Sequence, residues 1–121
     1  MSELTSDKEK EYMENVIARE QLPGHLFQGG EHGGIPISFF WVQSSPGGGP
    51  RLHKHPYEEI FVILEGHAIV TIGESTLEVD GGHMAIAPAG VPHKFINSGA
   101  GLLRTINIHP SQEVITEWLE D

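Results

Sequence analysis

A chain of 121 residues can enclose one hydrophobic core and is too short for two ordinary domains. It has no cysteine, which excludes disulfides, thiolate ligands and thiol catalysis, so any metal must be held by imidazole and oxygen. Seventeen acidic against seven basic side chains give a formal charge of -10, which repels phosphate backbones and anionic membrane surfaces and argues against nucleic acid as a partner.

From the N-terminus, residues 1–14 are mostly charged and read as a flexible arm, with residues 15–121 as a single domain. Ser6-Asp7-Lys8-Glu9 fits a capping box ahead of Tyr12, Met13, Val16 and Ile17 at helical spacing. Asn15 to Glu20 reads better as a leading strand that ends at Leu22-Pro23-Gly24. The opening stretch lacks a signal-peptide apolar region, and no later run nears the roughly 18 apolar residues of a membrane span. The cytoplasm is the expected compartment, with no membrane partner.

From Leu22 onward glycine and proline punctuate short segments rich in β-branched and aromatic residues, which is an all-β pattern. The candidate strands run Ile35 to Gln43, Glu59 to Leu64, His67 to Ile72, Thr76 to Val79, His83 to Ala87, Lys94 to Asn97 and Leu102 to Ile108. Glu65-Gly66 and Gly73-Glu74-Ser75 are predicted hairpin turns, and Gly81-Gly82 turns the next corner. On the strand from Ile35, Ile37, Phe39 and Trp41 share one face with it, while Ser38, Phe40 and Val42 form the other, so the strand should be buried on both sides. After Pro110, Ser111 can cap a short C-terminal helix over 111–120, with Val114, Ile115, Trp118 and Leu119 on one face.

Two stretches carry chemistry. Gly47, His53, His55, Glu59 and Gly66 stand at G-x5-H-x-H-x3-E-x6-G, and Gly82, Pro88, Gly90, His93 and Asn97 at G-x5-P-x-G-x2-H-x3-N. Residues at i and i+2 of a strand share a face about 6.6 Å apart, so His53 and His55 can converge on one ion. Pro56 bends the chain before Glu59, whose carboxylate can return on a neighbouring strand, and His93 joins from a distant turn. Glu58 would point the opposite way. Three imidazoles and a carboxylate suit one divalent transition ion, whether Fe, Mn, Zn, Ni or Cu. Ligation requires neutral imidazoles, so binding should weaken below about pH 6.5.

The paired stretches resemble the two signature motifs of the cupin superfamily, with every position matched over residues 47–97. The resemblance implies a double-stranded β-helix, a jelly-roll-like barrel open at one end with the metal inside. It assigns His53, His55, Glu59 and His93 as ligands and a structural role to Asn97. It also implies a homodimer.

By strand parity Arg51 shares the face of His53 and could meet a substrate carboxylate, or could be a plain surface arginine. Phe61 and Ile63 follow Glu59 inward and Phe95 follows His93, as an apolar pocket wall or simply as core. His25, His32, His67, His83 and His109 have no partner at ligand spacing and read as surface or structural residues. The Gly47–Gly49 run lacks the lysine and helix of a phosphate-binding loop, and no helix-turn-helix pattern is present. The expected function is a metal-dependent enzyme of the dioxygenase, isomerase or lyase kind acting on a small oxygenated or anionic molecule, with Glu59 as a possible base. The alternative is a small-molecule binding module that keeps its metal without turnover.

Overall fold

The computed structural model describes residues 7–120. In chain order its strands are β1 (Leu26–Gln28), β2 (Ser38–Ser44), β3 (His53–Lys54), β4 (Glu59–Glu65), β5 (His67–Ile72), β6 (Ser75–Asp80), β7 (His83–Ala87), β8 (His93–Asn97), β9 (Leu103–His109) and β10 (Glu117–Trp118). They make two five-stranded antiparallel sheets, ordered β1-β2-β9-β4-β7 and β10-β3-β8-β5-β6. The sheets share one core, in which Phe61 and Ile63 of β4, Leu103 of β9 and Ala87 of β7 meet Ala68 and Val70 of β5 and Phe95 of β8. Along β4 and β9 alternate residues are buried, so each strand gives one face to that core and the other to the outside.

The hydrogen-bonded ladder does not close, which corrects the expectation of a closed jelly-roll barrel or double-stranded β-helix. Among the described residues no strand of one sheet pairs with a strand of the other. The chain crosses between sheets at glycine corners, where turn bonds such as Gly81 N–H to the Gly66 carbonyl and Gly82 N–H to the Ile63 carbonyl replace strand pairing. Glu65-Gly66 is therefore a corner between β4 and β5 rather than a hairpin. Gly66 sits at φ 101, and a Cβ there would press on the carbonyl of Leu102 at 2.7 Å. Gly73-Glu74 is a true two-residue hairpin joining β5 to β6.

The C-terminal helix expected over 111–120 is absent. The segment is extended and ends in β10, which pairs with β3. Its backbone groups find partners far along the chain: Val114 N–H donates to Gln28 Oε1, Ile115 N–H to the Tyr57 hydroxyl and Leu119 N–H to the Leu52 carbonyl. A short isolated helix is marginal in water, and the consecutive β-branched residues Val114, Ile115 and Thr116 disfavour it further. The leading strand expected over 15–20 is also absent. Residues Met13–Asn15 and Arg19–Gln21 form single 3-10 turns, and Asp7–Lys10 forms one helical turn, α1. The expected capping residue Ser6 lies outside the described residues. Among those described, no helix is long and apolar enough to cross a membrane.

Candidate metal centre

The inner faces of β3, β4 and β8 bring the two sequence motifs together. His53 and His93 are directly opposite across β3 and β8. Glu59 opens β4, and His55 follows β3 at the bend before Pro56. The ligand atoms of His53, His55, Glu59 and His93 all lie within 4.8 Å of one another, and all four residues are buried. Glu58 is exposed on the opposite side.

Each imidazole is oriented by a backbone carbonyl. Nδ1 of His53 bonds the Arg51 carbonyl at 2.6 Å, Nδ1 of His55 that of Ile115 at 2.8 Å, and Nδ1 of His93 that of Val91 at 2.9 Å. A carbonyl only accepts, so each Nδ1 carries the proton and the lone pair of each neutral ring is on Nε2. Those Nε2 atoms face Glu59 Oε1, at 2.8 Å for His55, 3.1 Å for His93 and 4.0 Å for His53. Burial opposes ionisation of Glu59, but with no ion bound a ring of His55 or His93 that takes a second proton, on Nε2, donates it to the carboxylate, and these bonds outweigh burial and hold the carboxyl down at about 2. Burial also lowers His53 below its usual value, which keeps that ring neutral. A carboxylate and imidazole lone pairs aimed at one point require positive charge between them. The set therefore fits one divalent transition ion, and carbonyl-tethered imidazoles are the usual support for such a ligand shell.

A cavity of about 340 Å³ opens on His53, His55 and Glu59, with Phe40, Val42, Phe95 and Trp118 among its walls. That size suits a small molecule. Trp118 comes from the extended C-terminal segment, and its ring lies 5.0 Å from that of His53. Arg51 is exposed, with its guanidinium 5.2 Å from the Trp118 ring centroid. Phe61 and Ile63 are each 1% exposed and belong to the core rather than to the cavity wall. Asn97 ties the loops together, its amide donating to the carbonyls of Ser44 and Gly101 and its oxygen accepting from Gly99 N–H.

His109 was not distinguished in the sequence from the structural histidines, yet it is 1% exposed and its Nε2 lies 3.4 Å from Glu59 Oε1. Burial pushes its pKa down to about 4. The signal was strand parity: Leu103, Thr105, Asn107 and His109 all point inward, and the predicted strand stopped one residue short. The other histidines stand apart, with His67 bonded to Asp80 on the surface, His83 to the Asp80 carbonyl, His25 to Arg19 and His32 stacked on Phe27.

Residues 40–109 match the family profile described as "Cupin domain", and the chain belongs to the cupin family. The uncharacterized protein MJ1618 of Methanocaldococcus jannaschii is 33% identical over 77% of this chain and 73% of its own length. The HTH-type transcriptional regulator PuuR of Escherichia coli strain K12 is 38% identical over 46% of this chain, and the matched part spans only 30% of that regulator. Among solved structures, the formate complex of Lactobacillus farciminis oxalate decarboxylase aligns with a TM-score of 0.64 and 28% identity, covering 69% of this chain and 27% of the enzyme.

Proposed function

We propose that the protein is a metal-dependent enzyme acting on a small anionic or oxygenated molecule by chemistry of the dioxygenase, isomerase or lyase kind. The observation that carries this is the convergence of His53, His55, Glu59 and His93 beside a small cavity, with each ring's Nδ1 already engaged by a carbonyl. Likeness to an oxalate decarboxylase crystallised with formate supports a small carboxylate as substrate. A bound divalent ion would supply a Lewis-acid charge to polarise a substrate oxygen. Phe40, Val42 and Phe95 would limit water around it, and Arg51, beside Trp118 near the cavity, would draw an anion inward. Phe61 and Ile63 would support the wall from the core. Glu59 is the candidate base, and Glu59→Gln with metal content measured in parallel separates loss of a base from loss of the ion.

The test is a substrate screen on protein purified without a nickel column and reconstituted with Mn, Fe, Zn, Ni or Cu. Turnover abolished in His53→Ala supports the enzyme. Ligand binding without turnover under every metal would instead support a metal-retaining binding module, which the likeness to PuuR, named as a transcriptional regulator, favours.

The proposal includes one domain over residues 15–121, a cytoplasmic setting and a homodimer. The dimer is supported by the outer face of the first sheet. There Phe27, Phe39, Ile108, Ile60 and Ile86 stand directly opposite one another across all of its strands, and Trp41, Ile106, Val62 and Met84 form the adjoining row. A second copy would cover these two apolar rows, with Arg104 and its ion-pair partner Glu65 at the end of the same face.

A further inference from the structure

We propose that the substrate is a monoacid with an apolar body: one carboxylate for the metal, and a hydrocarbon part that lies along the inner face of β2. This rests on the proposed small anionic substrate and deepens it. In the register of β2 against β9, Ser38 stands opposite His109, Phe40 opposite Asn107 and Val42 opposite Thr105. His109 lies beside Glu59, so Phe40 is one inward step from the metal ligands and Val42 two, at about 6.6 Å per step. The inward side chains from Glu59 to Ile63 on β4 and from Leu103 to His109 on β9 are buried. Phe40 and Val42 are only half-buried, and both line the cavity. Half-buried Pro50 and Trp118, 53% exposed, line it too. The fold thus leaves apolar surface uncovered inside the cavity, next to the metal ligands, where a ligand can cover it.

Charge decides what kind of ligand does so. None of the lining residues is a lysine or arginine, and the one carboxylate among them, Glu59, belongs to the metal set. Arg51 is exposed and stacked on Trp118, so it can draw an anion towards the mouth but is not part of the wall. A second acid group carried along Phe40 and Val42 would lose water and meet no cation. Neutral polar recognition is also limited there. The Thr116 hydroxyl lies 3.4 Å from Nδ1 of His55, and the Asn107 amide oxygen has almost no accessible surface. One acid and one apolar body match what the cavity offers.

The experiment is calorimetric titration of the Mn-loaded protein with acetate, butyrate and hexanoate, and with succinate and adipate as diacids of equal chain length. A fully buried methylene is worth about fourfold in affinity, so hexanoate should bind at least about tenfold more tightly than acetate, and each diacid more weakly than its monoacid. Trp118→Ala removes an exposed side chain and Val42→Thr exchanges one wall methyl for a hydroxyl; each should lower the hexanoate-to-acetate ratio, with metal content unchanged. Equal binding of acetate, butyrate and hexanoate, tighter binding of the diacids, or a ratio unchanged in both variants would overturn the proposal and leave the anionic-substrate reading standing. No binding by any acid would remove both.

Discussion

The hydroxyl of Tyr57 lies 2.8 Å from Nδ1 of His109. The same oxygen accepts the Ile115 N–H at 3.1 Å. A backbone N–H can only donate, so the phenol proton is free to point at His109. That leaves the ring proton of His109 on Nε2, directed at Glu59 Oε1. Tyr57 also lies flat against His55, with ring centroids 5.1 Å apart and planes 3° from parallel. One side chain thus touches a metal ligand, the neighbour of the metal-binding carboxylate and the C-terminal segment.

Tyr57→Phe separates these roles, because it keeps the stacked ring and removes the hydroxyl. The buried Nδ1 of His109 loses its partner, while the N–H of the exposed Ile115 turns to water, so the expected loss of stability is about 1–3 kcal/mol by chemical denaturation. Metal content should stay near that of the parent protein, because none of the carbonyl tethers on the ligand histidines involves Tyr57. A variant as stable as the parent would show that the Tyr57 bonds contribute nothing net.

The metal centre makes a direct prediction. Elemental analysis of protein purified without a nickel column should find about one transition ion per chain, and the double variant His53→Ala with His93→Ala should find almost none. These rings face each other across β3 and β8, and their removal leaves only His55 and Glu59 of the set. An equally loaded double variant would refute the assignment.

The donor set was legible in the sequence because spacing carried it: alternation placed His53 and His55 on one face, and the paired motifs supplied Glu59 and His93, which the structure sets opposite His53 across β3 and β8. Most strands were also legible, and β5 and β7 run over the predicted residues. What could not be read was non-local. Val114, Ile115, Trp118 and Leu119 fit a helical face, but Gln28, Leu52 and Tyr57 offered partners that held the same residues extended. His109 has no ligand at motif spacing, and it reaches Glu59 only because β9 lies beside β4. Whether the ladder closed depended on how the corners at Gly66 and Gly81-Gly82 were bonded, which the glycines themselves do not state.

Ile115 makes the C-terminal segment part of the centre, because its carbonyl orients His55 at 2.8 Å. Removing residues 111–121 should therefore weaken metal binding by about 10–100-fold, the usual effect of losing a group that orients a ligand. Competition with a chelator of known affinity measures this. Trp118→Ala provides the contrast: it uncovers His53 but keeps the Ile115 carbonyl, so its metal affinity should change far less.

The metal-free protein should lose stability on mild acidification. The ordinary His109 value of 6.5 falls to about 4 in the fold because the ring is buried. Between those values the unfolded chain binds the extra proton and the folded one does not, so stability is full above 6.5 and declines as pH falls towards 4. This residue alone sets a scale of ~3 kcal/mol. Glu59 acts lower: its folded value near 2 lies below the ordinary 4.5, so its contribution is present above 4.5 and disappears as pH falls towards 2. Urea denaturation between pH 7 and 4 should show the decline, and His109→Gln should flatten it.

The outer face of the first sheet tests the dimer. Met84 and Ile86 are 59% and 52% exposed on the edge strand β7, and they continue the apolar rows that run from Trp41 and Phe39. Lysine at both positions would cost the isolated chain little, because the side chains already meet water. In a face-to-face dimer the same charges would be desolvated without partners, at several kcal/mol each. Sedimentation should find the parent protein as a dimer and Met84→Lys with Ile86→Lys as a monomer, with unchanged circular dichroism and metal content. A parent protein that sediments as a monomer would remove the homodimer, and a double variant that remains dimeric would move its interface to another face.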